Sequence, residues 1–279
     1  MRVSSKRSAE RPAPPAPEPL TPLVDAHTHL DACGVDEVPA ILDRASAVGV
    51  QAVVTVADDL DSARWVTRAA DADDRVYAAV ALHPSRTDSL TDGARAEIEA
   101  LAAHPRVVAI GETGLDLYWP GRLAGCAEPA TQKEAFAWHI DLAKRTGKPL
   151  MIHNRDADAA VLDVLRAEGA PETVIFHCFS SGPEMAHTCV EAGWTLSLSG
   201  TVSFKNARDL REAVPLIPRE QLLVETDAPF LTPHPYRGAP NEPYCLPYTV
   251  RALAELLGES AAELAQVTSH NARRVYGLR

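Results

Sequence analysis

What this sequence has little of narrows it first. No stretch approaches the roughly 20 consecutive apolar residues that a membrane span requires, so no transmembrane helix is expected. There is no basic excess: 27 Lys and Arg stand against 38 Asp and Glu, a formal net charge of -11. A chain of that sign is not a bulk nucleic-acid coat, although bound cations can invert the charge of one local site. Cysteine is sparse. Cys33, Cys126, Cys178, Cys189 and Cys245 are scattered, odd in number and form no C-x-x-C pair. That argues against a disulfide scaffold or a zinc knuckle and fits a reducing, cytoplasmic compartment. Cys178 follows His177 and is expected to be a small buried residue pointing to the opposite face of a strand. Finally, no Gly-rich dinucleotide fingerprint follows the first apolar run, which leaves a doubly wound open sheet as the weaker architecture.

What is present is a rhythm of short apolar runs. Residues 1–22 come first, a low-complexity Pro- and Ala-rich stretch with six prolines between Arg11 and Pro22. Its start is basic but no apolar run follows, so it is not a secretory signal; a disordered tail is expected. From residue 23 to 279 a single domain is expected. Its apolar runs are Leu23–His29, Gly49–Ala57, Arg75–Pro84, Val107–Asp116, Lys148–Asn154, Glu172–Ser180, Trp194–Gly200 and Gln221–Phe230. They are rich in Val, Ile and Leu with little polar alternation, as in strands covered on both faces. Between them lie helical stripes such as Val161, Val164 and Leu165, or Val250, Leu253, Ala254 and Leu257. Strand then helix, about eight times, implies an α/β chain with a parallel sheet, and eight units close into a (β/α)8 TIM barrel.

The chemistry-bearing residues sit where these runs stop. His27 and His29 are two apart, which on a strand places both imidazoles on one face. Glu112 lies in Gly111-Glu112-Thr113-Gly114-Leu115-Asp116, His153 in Ile152-His153-Asn154-Arg155-Asp156, His177 in Phe176-His177-Cys178-Phe179-Ser180, and Asp227 in Glu225-Thr226-Asp227-Ala228-Pro229. One such histidine could be a satisfied core residue. Several ionisable groups converging on one barrel mouth need a partner, because buried charges must be paired or metal-bound. Four imidazoles and two carboxylates suit two divalent ions sharing one carboxylate, and mixed N/O ligation suits Zn, Mn, Mg or Co. His83, before Pro84, is either a further site residue facing the substrate or a strand terminator. Glu225 could hold a ligand histidine from behind. His139, in a helical apolar stripe, reads as a core histidine.

With these motifs in order, the chain from about Val24 to Leu278 resembles the TatD family of metal-dependent deoxyribonucleases, within the amidohydrolase-like barrels. Val24-Asp25-Ala26-His27-Thr28-His29-Leu30-Asp31 and Asp227-Ala228-Pro229-Phe230-Leu231 carry the likeness with the strand-end motifs above, as do Pro235-Tyr236-Arg237-Gly238 and Asn241-Glu242-Pro243. The resemblance implies one metal at His27, His29 and Asp227, another at His153 and His177, and Glu112 between them. It implies phosphodiester hydrolysis on DNA, single-stranded or damaged, with Arg155 and Arg237 toward phosphate; neither a membrane nor an obligate protein partner is evident from the sequence. Asp227 is expected to take a proton, and Glu112 to act through both ions. Two features depart from the family pattern: the third run reads Ala79-Val80-Ala81-Leu82-His83-Pro84 without the usual glycine, and Tyr118–Pro129 looks long and overhangs the mouth. The alternatives are a metal-dependent hydrolase of small amides, esters or lactones, and a binding protein without turnover, against which the intact ligand set argues.

Overall fold

The computed structural model describes residues 11–278. Eight strands pair in sequence order: β1 (Leu23–Thr28), β2 (Val50–Val56), β3 (Val76–Val80), β4 (Val107–Asp116), β5 (Leu150–Arg155), β6 (Val174–Phe176), β7 (Thr195–Leu198) and β8 (Leu222–Val224). All neighbours are parallel. The crossovers are α1 (Leu30–Gly34) and α2 (Val38–Ala47), then α3 (Leu60–Ala72), α4 (Asp92–Ala102), α5 (Pro129–Thr146), α6 (Asp158–Glu168), α7 (Pro183–Glu191) and α8 (Arg208–Ala213). After β8 come α9 (Leu246–Leu257) and α10 (Ala261–Tyr276). This is the eightfold α/β barrel that the rhythm implied. No helix of the described residues is long and apolar enough to cross a membrane.

Alternation along each strand feeds two cores. On β3, Val76, Ala78 and Val80 join the layer between strands and helices, while Tyr77 and Ala79 face the barrel interior. On β5, Leu150 and Ile152 go outward and Met151 inward. The interior is built of small residues (Ala26, Ala52, Ala79, Ala109) plus Val24, Val54 and Leu223, and Ala272, Val275 and Tyr276 of α10 belong to the same cluster. Tyr276 Oη donates to the carbonyl of Ala26 at 3.0 Å. Local signals agree with this packing: at the start of α3, Ser62 N donates to Asp59 Oδ1 and Asp59 N donates to Ser62 Oγ, both at 2.9 Å, a capping box.

The barrel closes at the β8–β1 seam with residues that follow β8. Asp227 N donates to the carbonyl of His27 at 3.0 Å, and His29 N donates to that of Ala228 at 2.7 Å. Deeper in the seam, Thr226 N and Oγ1 donate to the buried Asp25 carboxylate at 2.9 and 2.5 Å. Closure of the sheet therefore sets Asp227 beside His27 and His29.

Two expectations are corrected. The third, sixth and eighth apolar runs extend well past their strands, and in the last two the chain also takes left-handed backbone at Cys178 (φ 42°) and Asp227 (φ 52°). A strand cannot continue through that conformation. Disorder was expected over 1–22; residues 1–10 lie outside the described residues, and 11–22 hold no regular secondary structure yet pack on the barrel. Pro14 and Pro17 are buried. Tyr244 Oη and Tyr248 Oη donate to the carbonyls of Pro14 and Pro15 at 2.7 and 2.8 Å, and Arg251 donates to that of Glu18 at 2.7 Å. Proline has little backbone freedom to lose and needs no donor partner, so a Pro-rich strap is cheap to order.

β4 and β5 run too close for a side chain at Gly114. Its φ is +132°, and a Cβ there would lie 2.2 Å from the His153 carbonyl oxygen. Gly114→Ala is expected to cost about 3 kcal/mol through backbone strain and collision. Thermal unfolding checks it, and an unchanged Tm would show that the two strands can part freely.

Candidate metal centre

The close approach of β4 and β5 starts the site. Gly111 also has no room for a side chain, since a Cβ there would lie 2.4 Å from Met151 Cβ. Between these two glycines, Glu112 projects into the mouth, 3% exposed. Its two oxygens face different partners. Oε1 lies 3.7 Å from His27 Nε2 and 3.4 Å from His29 Nε2. Oε2 lies 3.0 Å from His153 Nδ1 and 2.7 Å from His177 Nε2.

On the first side, His27 Nε2 and His29 Nε2 are 3.2 Å apart, and Asp227 Oδ1 is 3.5 and 3.6 Å from them. These spacings match edges of a tetrahedron whose vertices lie roughly 2 Å from its centre, the ligand distance of a divalent ion such as Zn. On the second side, His153 Nδ1 and His177 Nε2 are 3.3 Å apart and share Glu112 Oε2. Buried carboxylate oxygens and imidazole nitrogens this close together need positive charge between them, from protons or from bound cations.

Residues behind the ring fix its orientation. His29 Nδ1 donates to the carbonyl of Val56 at 3.2 Å, which leaves Nε2 free to bind. His177 Nδ1 faces the fully buried Glu225 Oε1 at 3.4 Å, and the same oxygen accepts from Cys178 N at 2.7 Å. His177 Nδ1 and Glu225 Oε2 otherwise lack a hydrogen-bond partner. His153 Nε2 lies 3.2 Å from Asp116 Oδ2. His27 Nδ1 packs on Met151 Sδ at 3.2 Å.

The electrostatics report surplus negative charge. Burial pushes the His29 imidazolium down, yet Asp58, Asp227 and Glu112 outweigh it and raise its pKa to about 10. Burial likewise opposes the charged form of His177, but Glu112 and Glu225 hold its pKa well above the usual histidine range. Glu112 is held well below the carboxylate range, with His177 and His153 overcoming burial.

All six residues expected at the strand ends thus converge on one cavity of about 470 Å³, of which His29, Glu112, His153, His177 and Asp227 form part of the wall. His83 and Arg155 line it too. His83 Nδ1 lies 2.8 Å from Ser85 Oγ, and burial lowers its pKa to about 4. Arg237 does not line the cavity. Its guanidinium lies 4.2 Å from the ring centre of Phe204 and donates to Asn206 Oδ1 at 3.1 Å. His139 is the core histidine expected, its Nδ1 bonded to the carbonyl of Ala135 at 2.8 Å. Cys178 is not a core residue: the left-handed turn brings it to the cavity wall, with Sγ 3.3 Å from Ser199 Oγ. Sequence reasoning missed Asp58, Arg86, Asp116, Trp119 and Phe230, all on the wall. Asp116 could have been found, because it stands four residues after Glu112 on one strand, on the same face. The others lie in loops, where no period marks them.

Comparison with known proteins follows this geometry. A family model described as TatD related DNase matches residues 24–277. An uncharacterized metal-dependent hydrolase TatD of Mycobacterium tuberculosis is 75% identical over 259 residues, covering 92% of this chain and 98% of that one. A 3'-5' ssDNA/RNA exonuclease TatD of Musicola paradisiaca is 33% identical over 247 residues, covering 86% of this chain and 91% of that one. Among solved structures, a TatD homologue from Escherichia coli K12 superposes with a TM-score of 0.85 at 27% identity, over 92% of this chain and 98% of that one.

Because Glu112 faces both histidine pairs, its loss should disturb both. Glu112→Ala is expected to lose more metal than His153→Ala. Elemental analysis of the purified variants decides it; two ions per chain retained in Glu112→Ala would refute a shared carboxylate.

Proposed function

Because the chain belongs to the TatD family of metal-dependent hydrolases, we propose that it hydrolyses phosphodiester bonds in single-stranded or damaged DNA. The observation that carries this reading is a carboxylate split between two histidine pairs, with a guanidinium on the wall of the same cavity. Two divalent ions, one at His27, His29 and Asp227 and one at His153 and His177 with Glu112 reaching both, would polarise the phosphoryl oxygen and activate water.

The side chains supply the rest. Asp227 lines the cavity while its Oδ1 faces His27 and His29, and in this reading it would accept the proton that an attacking water gives up. Arg155 follows His153 by two residues and its guanidinium lies 4.2 Å from the ring centre of Tyr118. Stacking holds a planar donor in place for phosphate. With Arg237 turned to Phe204, the second cavity guanidinium is Arg86, in the loop after β3. Arginines and bound cations together draw a phosphate to a chain whose net charge is -11. A neutral acyl substrate has no use for that concentration of positive charge.

Asp227→Asn keeps the shape and lowers the basicity. It is expected to bind some metal yet turn over DNA at least about a hundredfold more slowly; near-native rates at saturating metal would assign the base elsewhere. Arg155→Ala is expected to raise the KM for DNA several-fold with metal content intact. A turnover screen with Mg, Mn, Co and Zn on labelled single- and double-stranded DNA tests the function itself. Cleavage of a neutral ester or lactone with no DNA hydrolysis under any metal would replace the phosphodiesterase reading by an acyl-hydrolase one.

A further inference from the structure

Two aromatic side chains stand at the cavity without belonging to the core. Trp119, in the loop after β4, lines one part of the wall, and Phe230, in the loop after β8, lines another beside His29. Phe230 is 39% exposed, one of three exposed large hydrophobic residues among those described. The other two, Val35 and Leu216, do not line this cavity. A single exposed ring is ordinary on a protein surface. A ring facing the same cavity as a half-buried tryptophan is not accounted for by packing.

Both rings are tied by short links to acidic residues of the site. Tyr118 N and Trp119 N donate to Asp116 Oδ1 at 3.0 and 3.1 Å, while Asp116 Oδ2 lies 3.2 Å from His153 Nε2. Phe230 N donates to the carbonyl of Asp227 at 2.9 Å. Trp119 is braced further: its ring meets Tyr118 edge-on at 4.9 Å, and the Arg155 guanidinium lies 5.2 Å from its centre. Phe230 meets His29 edge-on at 6.0 Å. Each ring is thus positioned relative to the histidine and carboxylate donors by a few covalent or hydrogen-bonded steps.

We propose that Trp119 and Phe230 are stacking surfaces for an unpaired nucleobase next to the scissile phosphate, with Arg155 on that phosphate. The inference rests on the phosphodiesterase reading above. Aromatic rings interleaved with guanidinium groups hold single-stranded nucleic acid, because every base presents a π-face and every linkage a charge. In a duplex those faces are covered by neighbouring bases, so rings placed this way select a single strand or a frayed end. A cavity of about 470 Å³ is of the size that takes one small ligand or a single nucleotide unit, and not a double helix.

The test compares an oligothymidylate with the same strand made abasic at the nucleotide beside the cleaved linkage, using the metal-loaded enzyme. The wild type should favour the base-bearing strand in KM by about tenfold. Trp119→Ala and Phe230→Ala should each lose most of that preference, and Trp119→Phe should keep it. In parallel, oligothymidylate should quench the fluorescence of the wild type more than that of Trp119→Phe. Equal KM for the two strands with brisk hydrolysis overturns the stacking surfaces and leaves the phosphodiesterase reading standing. Hydrolysis of neither strand with any metal overturns the phosphodiesterase reading, and quenching then decides the stacking by itself: present, it supports base binding; absent, it ends the proposal.

Discussion

A carboxylate almost sealed from solvent, with imidazoles against both its oxygens, cannot persist without positive charge. Glu112 is in that position, and much of the barrel mouth can be traced to it. Gly111 and Gly114 let β4 approach β5 closely enough to set Glu112 beside His153. The seam between β8 and β1 places His27, His29 and Asp227 on its other side. Glu225, Asp116 and the Val56 carbonyl hold the histidines from behind. Protonated histidines can meet the charge in part, which is why His29 and His177 hold their protons so strongly. Divalent ions would meet it more fully.

The barrel positions these groups through its topology rather than through any one contact. Strand ends on one rim bring together residues 200 positions apart, such as His27 and Asp227. The rim is also where loops are free to vary. The histidine and carboxylate groups of the site therefore sit on strands or shortly after them, whereas Trp119, Arg86 and Phe230 come from the loops that follow. In this architecture the strand ends generally carry the chemistry and the loops that follow vary with the substrate.

That division explains what could be read from the sequence. The fold was legible because buried parallel strands are continuous apolar runs and helices carry a 3.6-residue stripe. His27 and His29 were legible because strand period fixes their common face, and Glu112, His153, His177 and Asp227 because each ends such a run. Asp116 was legible in principle by the same period. The extent of β6 and β8 was not, since left-handed turns at Cys178 and Asp227 leave no apolar signature. Nor was the order of residues 11–22, whose carbonyls are held by Tyr244, Tyr248 and Arg251 from more than 200 positions away. Arg155 and Arg237 looked alike as sequence. Only the first stands on the cavity wall, because it ends β5 itself, while the second is drawn aside by Phe204 and Asn206.

Two ions at this site would each take a different oxygen of Glu112. Anomalous diffraction from crystals grown with Mn or Zn locates such ions directly. Two peaks are expected, one against Glu112 Oε1, His27 and His29, the other against Oε2, His153 and His177, each at roughly 2 Å from its donors. A single peak at full occupancy under saturating metal, or two peaks of which neither touches Glu112, would contradict it.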